Sequence, residues 1–348
     1  MRRFWLFRSN IRDLEYYHNF NDLETFENRC HDFYLLMGLW FLKHDIFDEV
    51  IVWRIAHKQL PDIVFETNGK KFIQKFCLSF DECLRYPKPM ISLFRGGFQE
   101  YDNTIKKDPG KFGIKLYLAA GKRIYPKDEK LYDKVLIESE EDNRGNDIRF
   151  YKTCNPNIFR PYEELKKIYD LCWICNNTQI RHKGQEFFIS SIGNSDYLKQ
   201  LKIIHIGNKP EVGLELCKKY GVNNIRFIGP VERHDINVFL NLSKFGIMTS
   251  NKEDGCPRIS TEILCSGTPL IIRNQTRLLN FYKKYGVCVF DDKSLKVTVE
   301  NAMKYYNQIK KDLDNYKGMF SMDIICGMNI TSWGYINEKN KDSNYRMD

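Results

Sequence analysis

Two carboxylates eight residues apart, Asp254 and Glu262, stand in the stretch FGIMTSNKEDGCPRISTEILCSGTPLII, residues 245–272. Asp254 falls in an acidic loop beside Gly255. Glu262 falls on the first turns of a helix that opens near Arg258 or Ile259 and is closed by Gly267, with Pro269 as a stop signal. A loop acid and a helix acid arranged in this way can converge on one ligand. The segment Gly255-Cys256-Pro257-Arg258-Ile259 leads into a helix start whose free backbone N–H groups favour an anion or a hydroxyl. Hydroxyls held by acids beside a bound anion are the chemistry of a sugar-nucleotide site.

The complementary charge is Lys183 in QIRHKGQEFF, with Arg181 and His182 before it and Gly184 after it. It follows a strand and precedes an apolar helix, where helix N–H groups and a cation together suit a diphosphate. A solvated basic loop is the other reading of the same residues. Gly207 and Gly229 end the strands IIHIG and RFIGPV, where glycine allows either a tight turn or close approach of a ligand. Arg95-Gly96-Gly97 follows another strand and would face a cleft between domains as an acceptor or substrate contact, with Ser9 and Asn10 as weaker candidates of the same kind.

The elements that must position these residues alternate clearly in the second half. Apolar strands are expected at 171–176, 202–207, 225–229, 245–249, 269–272 and 287–290. Helices are expected at 185–192, 211–220, 234–242, 259–266 and 275–285. Continuous apolar strands joined by amphipathic helices specify a parallel, doubly wound α/β sheet, whose ligands lie beyond the carboxyl ends of the strands. In the first half, strands are expected at 3–8, 49–55, 90–94, 114–118 and 134–138. A single long helix is expected behind an Asn21/Glu24 capping box, with Leu23, Phe26, Cys30, Phe33, Met37 and Trp40 on one face. The Pro-interrupted, aperiodic segment 149–161 marks the connection. The expected division is 1–152 for an acceptor-side α/β domain and 153–318 for a nucleotide-sugar domain. Residues 319–348 form a segment crossing back to the first domain and ending in a polar tail.

A chain of 348 residues exceeds one core, and 43% hydrophobic with 14% aromatic residues gives material for two. The net charge of +9 suits a solvated surface, phosphate-bearing ligands or a peripheral contact with an anionic membrane. The longest apolar run, 34–42, is about half a membrane span, and Met1-Arg-Arg runs into FWLF without a signal-peptide core, so a cytoplasmic location is expected. Eleven scattered cysteines read as free thiols in a reducing compartment. Cys172 and Cys175 form a C-x-x-C inside a strand, which places them on opposite faces as core thiols. No His/Cys cluster has metal spacing, and the one Asp-x-Asp, Asp312 and Asp314, lies in a lysine-rich helix. No metal and no cofactor are therefore expected.

Taken together, CNPNIFRP (154–161), Lys183-Gly184, LKIIHIG, NNIRFIGPV and EDGCPRISTEILCSGTPLII resemble the retaining glycosyltransferases of GT-B fold, in particular glycosyltransferase family four. The resemblance covers about residues 152–292. It implies two Rossmann-like doubly wound domains facing a cleft, and transfer from a nucleotide-diphosphate sugar to a glycan or lipid-linked acceptor, with retention. It also implies Lys183 on the diphosphate, Glu262 on the ribose and Asp254 on the donor sugar. Three positions depart from the family pattern. Asp254 stands where Glu is usual, Thr178 stands where an Arg often precedes the Lys, and LFRSN replaces the usual glycine-rich loop. A dehydrogenase would need a G-x-G-x-x-G, which the chain lacks. Nucleic-acid binding would need groove-reading or RNA-stacking motifs, which are also missing, so no nucleic acid is expected as a partner. A degenerate GT-B protein that binds a nucleotide or glycan without catalysis is the alternative reading.

Overall fold

The computed structural model describes residues 1–8, 22–56, 60–96, 100–119, 125–175, 180–251 and 257–334; the side chains of Ile180 and Arg181 lie outside the description. The chain divides into two compact units. One comprises Met1–Tyr151 with the segment from Met322 onward, and the other comprises Lys152–Ser321.

The first unit is built on eight strands: β1 Arg3–Arg8, β2 Glu49–Ile55, β3 Ile63–Thr67, β4 Lys70–Cys77, β5 Ile91–Arg95, β6 Ile114–Ala119, β7 Lys134–Ile137 and β8 Ile148–Arg149. They lie in the order β3-β4-β2-β1-β5-β6-β7-β8, all parallel except the antiparallel pair β3–β4. Chain direction across the sheet reverses between β1 and β5, which makes their carboxyl ends a switch point. The centre of the sheet is aromatic. Phe7 stacks on Phe94 at 4.5 Å, and Trp5 meets Trp53 edge-on at 5.5 Å. The helix Met322–Ser332 belongs to this unit. Trp40 donates to Asp323 at 2.7 Å, and Asn329 exchanges two hydrogen bonds with the Tyr151 backbone.

Two expectations are corrected here. The single long helix is two, Leu23–Arg29 and Phe33–Lys43. The first is capped by Asp22, which accepts from the Thr25 N–H at 2.7 Å; Asn21 lies outside the described residues. The second starts at Asp32, whose carboxylate accepts the Tyr34 N–H at 3.0 Å. It is buried almost all round rather than on one face, so the 3-and-4 spacing marked apolar content and not a continuous stripe. The β3–β4 hairpin escaped notice although Asn68-Gly69 joins it, with φ of 50° and 72° as a type I′ turn requires.

The second unit carries six parallel strands: β9 Tyr169–Ile174, β10 Ile203–Ile206, β11 Ile225–Gly229, β12 Ser243–Met248, β13 Leu270–Arg273 and β14 Val287–Phe290. Their order is β11-β10-β9-β12-β13-β14, so the winding reverses between β9 and β12. Helices Gln185–Gly193, Pro210–Tyr220, Arg233–Asn241 and Arg258–Cys265 link the strands, as the alternation implied. The segment 275–285 is a correction. It contains only a 3₁₀ turn, Asn280–Lys283, because its side chains are anchored elsewhere: Thr276 donates to the Ser250 carbonyl at 2.9 Å, and the Tyr282 hydroxyl donates to the Lys152 carbonyl. The segment 154–161 is held against the helix Arg233–Asn241 by Asn237 and Asn241, which both donate to the Arg160 carbonyl at 3.0 Å. Among the described residues every cysteine is a free thiol, and no helix is long and apolar enough to cross a membrane.

Candidate active site

The carboxyl ends of β9 and β12 are tied together through backbone groups. Ile180–Lys183 forms one helical turn and Gly184 follows at φ 69°, capping the helix Gln185–Gly193. A Cβ at Gly184 would collide with the Thr249 carbonyl oxygen, so only glycine fits both the dihedral and the space. The Thr249 hydroxyl donates to the Lys183 carbonyl at 2.8 Å, and the Asn251 N–H donates to the His182 carbonyl at 2.9 Å. Lys183 is thereby set, half-buried, beside the strand end that leads into the acidic loop. Arg273, at the end of β13, supports the same corner. It donates to the Thr249 carbonyl at 3.3 Å and to Asp292 at 2.7 Å, and lies 4.2 Å from the Phe187 ring centroid.

Two of the singled-out glycines meet at the ends of β10 and β11, where the Gly207 N–H donates to the Gly229 carbonyl at 3.1 Å. A Cβ at Gly207 would strike the Cys175 carbonyl, whereas Gly229 has open space and a φ of 91°. Gly207 thus serves close approach of two chain segments, and Gly229 serves a turn. Beside them His205 is buried between Trp173 and Phe227, at ring distances of 4.7 and 4.9 Å. Burial pushes its imidazole down to about 4, and the hydrogen bond involving Cys175 opposes this only in part. Cys172 is buried and Cys175 partly so; the Cys175 sulfur lies 3.5 Å from His205 Nε2.

Glu262 is on the helix Arg258–Cys265, whose start follows Pro257. Its side chain is 3% exposed, and both carboxylate oxygens accept from Arg233 Nη1, at 3.0 and 2.9 Å. Arg233 opens the helix after β11 and is 34% exposed. The sequence reading missed it, although a signal existed: a cation at the first position of a helix opposes the helix dipole and marks a local conflict that something else must offset. Arg258 stands at the same place on its own helix and is exposed; Ile259 is half-buried.

In the first unit, Arg95 ends β5 and its guanidinium lies over the Tyr34 ring at 5.3 Å. The Gly96 N–H donates to the Leu118 carbonyl at 2.8 Å, and a Cβ at Gly96 would press on that carbonyl and on the Tyr117 hydroxyl. Ser9, Asn10, Gly97, Asp254, Gly255 and Cys256 lie outside the described residues, as does the side chain of Arg181.

No protein-family model matches the chain, and no curated protein matches its sequence. Solved structures do match over nearly the whole length. A sucrose-phosphate synthase from Thermosynechococcus elongatus superposes with a TM-score of 0.62 at 12% identity, covering 96% of this chain and 98% of that one. A glycosyltransferase from Rickettsia africae gives 0.64 at 13%, covering 98% and 99%. An alpha,alpha-trehalose-phosphate synthase (UDP-forming) from Burkholderia vietnamiensis gives 0.60 at 8%, covering 97% and 100%. The fold shared with them is the two-domain Rossmann-like GT-B fold.

Proposed function

We propose that the protein is a glycosyltransferase that moves a sugar from a nucleotide-diphosphate sugar to an acceptor hydroxyl, with retention and without a divalent metal. The observation that carries this reading is the β9/β12 corner, where Lys183 and Gly184 are fixed against Thr249–Asn251 at the switch point of the sheet. The fold shared with solved glycosyltransferases and a UDP-forming synthase supports it, as do the sequence features that resemble family four. Departure of the leaving group builds negative charge on the diphosphate. Lys183 and the start of the helix capped by Gly184 are assigned to that charge, since positioned donors stabilise it without reorganising. The sugar turns oxocarbenium-like as the bond breaks. Asp254 is assigned to the sugar hydroxyls and Glu262 to the nucleotide side of the site. Arg95 and Gly96, with Gly97, Ser9 and Asn10, are assigned to a glycan or lipid-linked acceptor. Metal independence rests on the lone Asp-x-Asp being engaged in structure: Asp312 accepts from the Gly286 N–H at 3.1 Å, and Asp314 pairs with Lys310 at 2.5 Å.

The test is a thermal-shift panel of UDP-, GDP-, ADP- and TDP-sugars, followed by release of free nucleotide without acceptor. One nucleotide-sugar should stabilise the protein and be hydrolysed slowly, with turnover unchanged in EDTA. No stabilisation and no release from any of them would remove the assignment. Loss in EDTA restored by Mn²⁺ or Mg²⁺ would remove its metal-free part.

A further inference from the structure

Cys154 and Cys265 are distant in the chain and meet inside the second unit. Cys154 opens the segment 154–161, and Cys265 ends the helix Arg258–Cys265. The two stretches fit closely at two points. Thr153 Oγ1 lies 3.5 Å from the Cys265 sulfur and is itself fixed by donating to the Phe320 carbonyl. Just past the helix, Gly267 takes a φ of 71°, and a Cβ there would come within 2.9 Å of the Pro161 ring. Between these points the Cys154 thiol donates to the Cys265 sulfur, so the two sulfurs are already in contact. Cys154 is 7% exposed and Cys265 partly exposed, so a reagent from solvent meets Cys265 first. The hydrogen bond from Cys154 holds the Cys265 thiol below its ordinary value, against burial and the Glu262 carboxylate, whereas burial pushes Cys154 up. The neighbouring pair Cys77 and Cys83 in the first unit lacks this asymmetry: both are buried, and burial pushes both up.

We propose that Cys154 and Cys265 are a thiol pair that closes to a disulfide when the protein meets a peroxide, with Cys265 as the attacking sulfur and Cys154 as the resolving one. An accessible thiol with thiolate character beside a second thiol is the arrangement that such oxidation selects. The Cys265 thiolate attacks one peroxide oxygen, the O–O bond breaks, and the departing hydroxide takes up the proton the thiol released. The Cys154 sulfur then attacks the sulfenic sulfur of Cys265, the S–O bond breaks, and water leaves with the Cys154 proton. Two thiols together lose two electrons, and one hydrogen peroxide becomes two waters. The crosslink would close a loop that contains β9 to β12 and tie the segment 154–161 to the helix that carries Glu262. It is independent of the glycosyltransferase reading.

The experiment treats wild type, Cys154→Ser and Cys265→Ser with equimolar hydrogen peroxide, with and without dimedone, and maps the peptides by mass spectrometry without reduction. Wild type should lose two hydrogens in a single crosslinked peptide pair joining Cys154 to Cys265, and dithiothreitol should restore both thiols. In Cys154→Ser, dimedone should label Cys265, which then has no resolving partner. In Cys265→Ser, Cys154 should stay reduced and unlabelled. Oxidised wild type should melt above reduced wild type, because closing a long loop restrains the unfolded chain, and Cys154→Ser should show no such rise. Should either variant fold poorly, the wild-type map decides by itself, since it reads the crosslink directly. Both cysteines remaining free after treatment, or Cys265 bonded to a different cysteine, would overturn the pair. Dimedone on Cys154 in Cys265→Ser, with none on Cys265 in Cys154→Ser, would overturn the assigned roles. Crosslinked protein that melts no higher than reduced protein would overturn the restraint on the second unit.

Discussion

The carboxyl edges of the two sheets share a topology and differ in what satisfies their polar groups. At the β1/β5 edge, buried polar side chains pair with one another. Arg8 pairs with Asp32, Tyr34 donates to Glu138 at 2.7 Å, and the guanidiniums of Arg8 and Arg95 lie 5.0 and 5.3 Å from the Tyr34 ring centroid. Arg8, Asp32 and Glu138 are buried, so these charges are committed to the fold. At the β9/β12 edge, the backbone makes the joints. Gly184 lies against the Thr249 carbonyl, the Thr249 hydroxyl donates to the Lys183 carbonyl, and the side chain of Arg233 is 34% exposed. A buried side-chain network contributes order to a core. An edge joined largely through its backbone does not depend on charged side chains for its joints. The first edge should answer to mutation in stability, the second in chemistry.

The largest effect that could break this contrast is Asp32→Ala. Removing one partner of a buried pair strands the other, at a cost of about 3–5 kcal/mol. Denaturant unfolding should show that loss in the first unit, and protein that remains folded should bind nucleoside diphosphate normally. Loss of nucleotide binding in folded Asp32→Ala would erase the division between the two edges. Lys183→Ala is the converse case. It should leave unfolding unchanged and slow transfer by the equivalent of about 2–4 kcal/mol, the scale of one well-placed donor to developing charge. Near-normal turnover would return Lys183 to a solvated loop.

His205 sharpens the comparison through pH. Its imidazole sits at about 4 in the folded chain against an ordinary 6.5, so the unfolded chain binds more protons between those values. Stability of the second unit should therefore be full above about pH 6.5 and decline as pH falls toward 4, by on the order of 3 kcal/mol at 1.4 kcal/mol per unit. Melting curves of wild type and His205→Gln across that range check it; equal slopes would contradict the buried neutral imidazole. The smallest expected effect is at the acidic loop. Asp254→Asn should cut turnover about tenfold or more, with less change in nucleotide affinity, since hydrogen bonds to a charged acceptor are worth about 1.5–3 kcal/mol and the sugar is what changes in the transition state. Asp254→Glu, one methylene longer, should keep most activity. Steady-state rates beside calorimetric affinities separate the two effects, and unchanged turnover in Asp254→Asn would unseat Asp254.

Much of this was legible in the chain itself because it depends on neighbours in sequence. The alternation of apolar strands with helices at 185–193, 210–220, 233–241 and 258–265 needs only local periodicity, and the parallel doubly wound sheet follows from it. Gly184 after Lys183 and Gly267 after the acidic helix are local turn chemistry of the same kind. The Asn68-Gly69 turn is equally local. Other features depend on partners distant in the chain. The break before Phe33 depends on Asp32 being held by Arg8, twenty-four residues away, and the unwound segment 275–285 on Ser250 and Lys152. The pairing of Glu262 with Arg233, twenty-nine residues apart, belongs to the same class. A carboxylate's spacing from its neighbours says that it can reach a ligand. Which cation reaches it first, and which of the two stays in contact with solvent, is decided only when two helices pack side by side on one sheet.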